Sequence, residues 1–261
     1  MFASSVQPPL VSLLASSNSS CLDLFKSGVD ASLPSDSLIC FLNDSTSRPE
    51  PPGPAQLIRP LCIALEDDGD DSQGRTLDQT VLHIQSPTLR STFIRCPALT
   101  GRNLGLKHPW LHFQVRNLGR EWSFEVGVVD RAGREGVVRC STFQTNPTLK
   151  MITPPLLHLP LSFPRASTRP LTAWSTINLN LPSFIPHFSS AFLISQEDPN
   201  SEQELTRPRI RSAITVPVPT GTYSHISYIK VYATCRLRRI WLSEAGPGQA
   251  LPLEFELFSL E

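Results

Sequence analysis

The sequence predicts an all-β protein, an antiparallel sandwich or barrel. Short apolar-alternating runs recur along 261 residues, turn residues separate them, and no long helical period lies between them. An apolar fraction of 40% is enough to build a real core at this length. The predicted strands are Ser37 to Leu42, Ile58 to Leu65, Thr80 to Gln85, Thr92 to Cys96, Trp110 to Arg116 and Trp122 to Val129. They continue with Gly136 to Phe143, Leu149 to Leu157, Trp174 to Leu181, Ile226 to Cys235, Ile240 to Ser243 and Leu251 to Phe258. Two segments read as short helices: Leu10 to Ala15, and a piece starting near Pro182 that carries Phe184, Ile185 and Phe188.

Two surface insertions interrupt a single domain, at about residues 44–76 and 189–222. The first contains Pro49, Pro51, Pro52 and Pro54, then the acid run Glu66, Asp67, Asp68, Asp70 and Asp71. Proline removes ladder donors and clustered acids repel, so neither part suits a packed strand. The second is polar from Gln196 to Glu204 and basic at Arg207, Arg209 and Arg211.

The block Thr92 to Asp130 is the most organised. A turn is expected at Pro97 to Gly101, then a hairpin from Trp110 to Asp130 connected through Asn117, Leu118 and Gly119. Leu111, Phe113 and Val115 alternate on one strand, and Phe124, Val126 and Val128 on the next; Trp174 reads as an anchor of the same core.

Chemistry is sparse. The chain has no G-x-S-x-G elbow, P-loop, G-x-G-x-x-G or H-E-x-x-H pattern. Cys21, Cys40, Cys62, Cys96, Cys140 and Cys235 are widely spread, and none makes a C-x-x-C pair. The acids at 66–71 lack the ligand order of a calcium loop, and Pro109 separates His108 from His112, so a helical His pair is not expected. No enzyme, metal or cofactor is expected. No stretch of eighteen apolar residues occurs and Leu10 to Ala15 lacks a basic start, so neither a membrane span nor a secretion signal is read. A cytosolic, reducing location follows, which makes the sequons at Asn18 and Asn43 chance matches.

Formal charge is zero, yet 19 of the 23 basic residues are arginine. Planar guanidinium groups suit bidentate pairing with carboxylates, and net neutrality argues against a dedicated nucleic-acid binder. The segment His225 to Glu244 is the most informative. Ile229, Val231, Ala233, Cys235 and Leu237 fall at every second position, while Lys230, Tyr232, Thr234, Arg236 and Arg238 point the other way. At Arg239 the phase slips by one, and Ile240 and Leu242 take the apolar positions, which signals a bulge or a change of strand. A half-buried strand with a basic outer face suggests docking.

The strings TFIRCPALTGRNLGLKHPWLHFQVRNL and EWSFEVGVVD, the element AWSTINLNLPSF, and the terminal YIKVYATCRLRRIWLSE with ALPLEFELF resemble the cilia- and flagella-associated protein 20 family. The resemblance covers roughly Leu77 to Phe258, apart from Ser189 to Thr222; the two inserts mark a divergent member or paralogue. It implies a jelly-roll-like β-sandwich, similar to carbohydrate-binding modules, used as a structural protein of ciliary and flagellar axonemes. Such a protein would bind the α/β-tubulin of doublet microtubules as a microtubule inner protein, at or near the inner junction of A- and B-tubules, beside other inner and inner-junction proteins. Tubulin is strongly acidic, so Arg236, Arg238, Arg239 and Lys230 become candidate tubulin contacts. The alternatives are a nuclear protein in transcription or genome maintenance, a centriolar microtubule-associated protein, and a glycan-binding module.

Overall fold

The computed structural model describes residues 1–2, 6–49, 79–163, 173–194 and 216–255. Thirteen strands are found among them: β1 (Leu10–Ala15), β2 (Lys26–Gly28), β3 (Leu38–Asn43), β4 (Thr80–Gln85), β5 (Phe93–Cys96), β6 (Trp110–Asn117) and β7 (Ser123–Asp130), followed by β8 (Glu135–Ser141), β9 (Thr148–Lys150), β10 (Leu156–Pro160), β11 (Trp174–Asn180), β12 (Tyr223–Tyr232) and β13 (Cys235–Ser243). They form two facing sheets. The first has the order β11-β6-β13-β4-β3, with β1 also on β13; the second runs β2-β5-β12-β7-β8-β10-β9. Every pair is antiparallel except β10 with β8.

The inner faces meet in one continuous apolar core. Leu111, Phe113 and Val115 of β6, Phe124, Val126 and Val128 of β7, and Cys235, Leu237, Ile240 and Leu242 of β13 are all fully buried. Each large apolar side chain removed from water in this way contributes about 1.5–3 kcal/mol. The Phe113 and Phe124 rings touch at 4.6 Å between centroids.

That ring contact corrects the expected hairpin. β6 pairs with β11 and β13, whereas β7 pairs with β8 and β12. The Asn117 to Gly119 connection therefore carries the chain from one sheet to the other, and the two apolar rows meet across the sandwich. Gly119 takes φ 69°, and its N–H donates to Asn117 Oδ1 at 3.0 Å, which makes this crossing tight.

Leu10 to Ala15 forms a strand and not a helix. It pairs with β13 between Leu10↔Ser243 and Ala15↔Arg239, so the sheet supplies hydrogen bonds that a six-residue helix would lack. The predicted Leu149 to Leu157 run is two strands, β9 and β10, which pair with each other. Leu181–Ser189 is a 3-10 helix that buries Leu181, Ile185 and Phe188 on the core. At the far end, Leu253–Phe255 is a 3-10 turn where a strand was expected. The predicted strand Ile58 to Leu65, the acid run 66–71 and most of the second insertion lie outside the described residues.

Candidate functional site

The four candidate contact residues lie on opposite outer faces of the sandwich. Between Tyr232 and Cys235 the chain leaves the second sheet and enters the first, so Lys230 faces out from one and the arginines from the other. The apolar alternation continues through this crossing because both inner faces line the same core. A bulge at Leu237/Arg239 then sets two residues of β13 against one position of β6. Leu237 and Ile240 point inward on either side of it. Arg238 and Arg239 both turn outward, so all three arginines share one face.

That face is not open to solvent, which corrects the expected basic outer strip. Arg236, Arg238 and Arg239 are only 8%, 5% and 6% exposed. Arg236 Nη1 donates to Asp44 Oδ1 at 2.8 Å and to the Asp44 carbonyl at 3.0 Å, while its Nη2 donates to Ser47 Oγ at 2.8 Å. Arg116 Nη1 reaches the same Oδ1 at 2.9 Å, and Trp174 Nε1 reaches Oδ2 at 2.8 Å. Trp174 thus anchors this outer network, packed with Leu42 and Val81, and not the inter-sheet core.

Arg238 is held on three sides. Its Nε donates to Gln79 Oε1 and its Nη1 to Gln114 Oε1, both at 2.8 Å, and its Nη2 donates to the Glu254 carbonyl at 2.9 Å. Burial, then the neighbouring Arg239, brings its pKa down to about 10, against the pull of Glu254. The Arg239 guanidinium lies 4.5 Å from the Phe255 ring centre, a cation–π contact. Phe255 also meets Trp241 edge-on at 5.3 Å. The segment at Leu253–Phe255 therefore straps the arginine face.

His112 belongs to the same layer. It stacks on Trp241 at 4.8 Å and bonds Asn178 Oδ1 at 2.6 Å and Ser243 Oγ at 2.7 Å through its two ring nitrogens. Burial lowers its pKa. His108 bonds the Pro8 carbonyl at 2.7 Å. These bonds tie both histidines into the fold.

The opposite face holds a groove. Strand register places Lys26 of β2 opposite Arg95 of β5, Arg95 opposite Lys230 of β12, Lys230 opposite Glu125 of β7, and Glu125 opposite Arg139 of β8. A charged row thus crosses five strands. Lys26, Arg95 and Lys230 line a groove of about 540 Å³ with Arg102, Glu125 and Tyr228. Lys230 Nζ sits 3.9 Å from the Phe93 ring centre and 4.5 Å from that of Tyr232. The Arg95 guanidinium lies 4.8 Å from the Tyr228 ring centre and donates to the Pro97 carbonyl at 2.8 Å. Arg139 Nε donates to Glu125 Oε1 at 2.8 Å, and Tyr228 donates to Oε2 at 3.3 Å. Partial burial lowers the Lys230 pKa, with Glu125 opposing.

Reactive groups are subdued. Burial raises the thiols of Cys21, Cys96 and Cys140 to about 12, leaving them protonated and unreactive. Among the described residues no group of three His, Cys, Asp or Glu side chains is placed to hold a metal ion, and no helix is long and apolar enough to cross a membrane.

Residues 70–206, more than half of the chain, match the CFA20 domain. The chain belongs to the CFA20 domain family. It is 28% identical over 184 residues to cilia- and flagella-associated protein 20 of Chlamydomonas reinhardtii, covering 70% of this chain and 75% of that protein. The proteins of the same name from Paramecium tetraurelia and Caenorhabditis elegans are 26% and 23% identical over the same length. Each match covers 70% of this chain, with 75% and 70% of the respective relative.

In this CFA20-domain chain, Lys26, Arg95, Glu125 and Arg139 join Lys230 only through register, so sequence reasoning missed them as a set. The signal available was a charged residue at a polar position of each apolar strand, in FIRC and SFEVGVVD. Asp44, which organises the opposite face, stands in a turn 192 residues from Arg236 and gives no local sign of that role.

Proposed function

We propose that this CFA20-domain protein is a non-enzymatic structural protein associated with cilia and flagella. In this reading it binds the α/β-tubulin of doublet microtubules as a microtubule inner protein, at or near the inner junction, and stiffens the wall by bridging protofilaments. Membership of a family whose relatives carry the cilia- and flagella-associated name carries the proposal. The run Lys26, Arg95 and Lys230 supports it, since an open cationic row complements the acidic tubulin surface. The buried arginines support the fold beneath, and would reach a partner only after the Phe255 strap lifts.

Expression of a tagged chain in a ciliated cell tests the reading. An axonemal fraction that resists detergent extraction is expected. A diffuse or nuclear signal with no axonemal fraction would overturn it.

A further inference from the structure

The charged row on the second sheet is unbalanced. Lys26, Arg95 and Lys230 stand on three adjacent strands in direct register, and neighbouring strands are spaced about 4.8 Å apart. Like charges directly opposite across strands are destabilising. Glu125 opposite Lys230 offsets part of this charge but makes no ion pair with the three cations. Glu125 is turned to Arg139 and the Tyr228 hydroxyl, and Glu135 accepts the Ser227 hydroxyl. Lys26, Arg95 and Lys230 make no ion pair among the described residues. A fold that tolerates such a run at its surface places a local cost where a ligand can relieve it.

The cations are also held ready. Arg95 is fixed by the Tyr228 ring and the Pro97 carbonyl, and Lys230 is framed by Phe93 and Tyr232. Groups ordered in advance lose little freedom when a ligand arrives. At about 540 Å³ the groove falls within the size of ordinary ligand sites.

We propose that this groove binds an acidic peptide segment of a partner protein, seating Glu or Asp carboxylates along Lys26, Arg95 and Lys230. The lining selects that class over other anions. Glu125 and Glu135 close one side, so a densely charged phosphate chain or sulfated glycan meets repulsion there. A peptide offers spaced single carboxylates, with backbone N–H groups toward those acids and apolar stems toward Phe93 and Tyr228. The inference goes beyond the tubulin reading, since it fixes the ligand chemistry whichever protein supplies it.

Fluorescence anisotropy with the full chain tests it, using a labelled decaglutamate peptide and its decaglutamine counterpart. Decaglutamate is expected to bind and decaglutamine not. Lys230→Met, which keeps an apolar stem on Phe93, should weaken binding about tenfold, and Lys26→Gln about threefold. Arg131→Gln, on the β7–β8 turn and outside the groove lining, should leave it unchanged. If Lys230→Met disturbs the near-UV circular dichroism, the exposed Lys26 decides. Equal binding of both peptides, no effect of Lys26→Gln, or tighter binding of polyphosphate or heparin than of decaglutamate would overturn the proposal. Decaglutamate binding without axonemal retention removes the tubulin reading and leaves the site; axonemal retention without peptide binding does the reverse.

Discussion

Asp44 and Arg236 meet across 192 residues of sequence, carboxylate Oδ1 to guanidinium Nη1 at 2.8 Å, with the Asp44 side chain fully buried. This contact ties the turn after β3 to the central strand of the first sheet, and Arg116 and Trp174 share the same carboxylate. Removing one partner of a buried ion pair leaves an uncompensated charge and costs about 3–5 kcal/mol. Asp44→Ala is therefore expected to destabilise by that amount, read as the shift in a denaturant unfolding midpoint. A loss below about 1 kcal/mol would contradict the network described.

Charge reversal separates the two faces. Arg238→Glu puts a carboxylate against Gln79 Oε1, Gln114 Oε1 and the Glu254 carbonyl, all acceptors, in a nearly water-free layer. This variant is expected to unfold or melt far below the parent. Lys230→Glu should instead stay folded and pellet less with microtubules. Thermal melts and co-sedimentation of the same preparations check both, and a well-folded Arg238→Glu protein would show that the layer opens easily.

Acid should destabilise the fold in two windows. The Asp130 carboxyl is raised by burial, but bonds from Arg134, Gly221 and Thr220 outweigh this and hold it at about 2, below its ordinary 3.8. Stability from this group is thus complete above about 4 and lost as the pH falls towards 2. His158 is lowered from 6.5 to about 4 by burial, then by Arg139 and Lys150. The unfolded chain takes up that proton first, so stability declines as pH falls from 6.5 to about 4. Unfolding free energies across this range should show a shallower lower slope in Asp130→Asn and a shallower upper slope in His158→Gln; Asp30 and the lowered His83, His112 and His225 supply the remainder.

Gly127 on β7 lies beneath the groove. A Cβ there would sit 2.0 Å from Ser227 Oγ, 2.7 Å from Tyr228 Cδ1 and 2.8 Å from Glu135 Oε1. Gly127→Ala should cost about 1–3 kcal/mol through overpacking and displace Tyr228 from Arg95. Calorimetry measures the first effect; the second appears as weaker decaglutamate binding at a temperature where the variant remains folded.

Much of the sandwich was legible because core positions announce themselves by period two, as Leu111, Phe113 and Val115 do. Sheet membership was not, because β6 and β7 each point apolar residues at the same core whether or not they pair. The crossing between Tyr232 and Cys235 left the alternation unbroken for the same reason. For the arginines, the pattern located the outward face and the bulge. It carried no information on what lies over them, since Asp44, Gln79, Gln114 and Phe255 arrive from four separate parts of the chain. Leu10 to Ala15 was ambiguous because six residues support either period until a partner strand supplies the hydrogen bonds.

β12 lies between β5 and β7 in one sheet, and β13 between β6 and β4 in the other. Both strands come from residues 223–243, after the other eleven strands of the described residues. During synthesis, neither sheet is joined until this stretch leaves the ribosome, and before then β4, β5, β6 and β7 carry unpaired edges. The two sheets therefore cannot be completed before residues 223–243 are made, and contacts of this long sequence separation slow folding. A premature stop upstream of residue 223 removes an interior strand from both sheets at once.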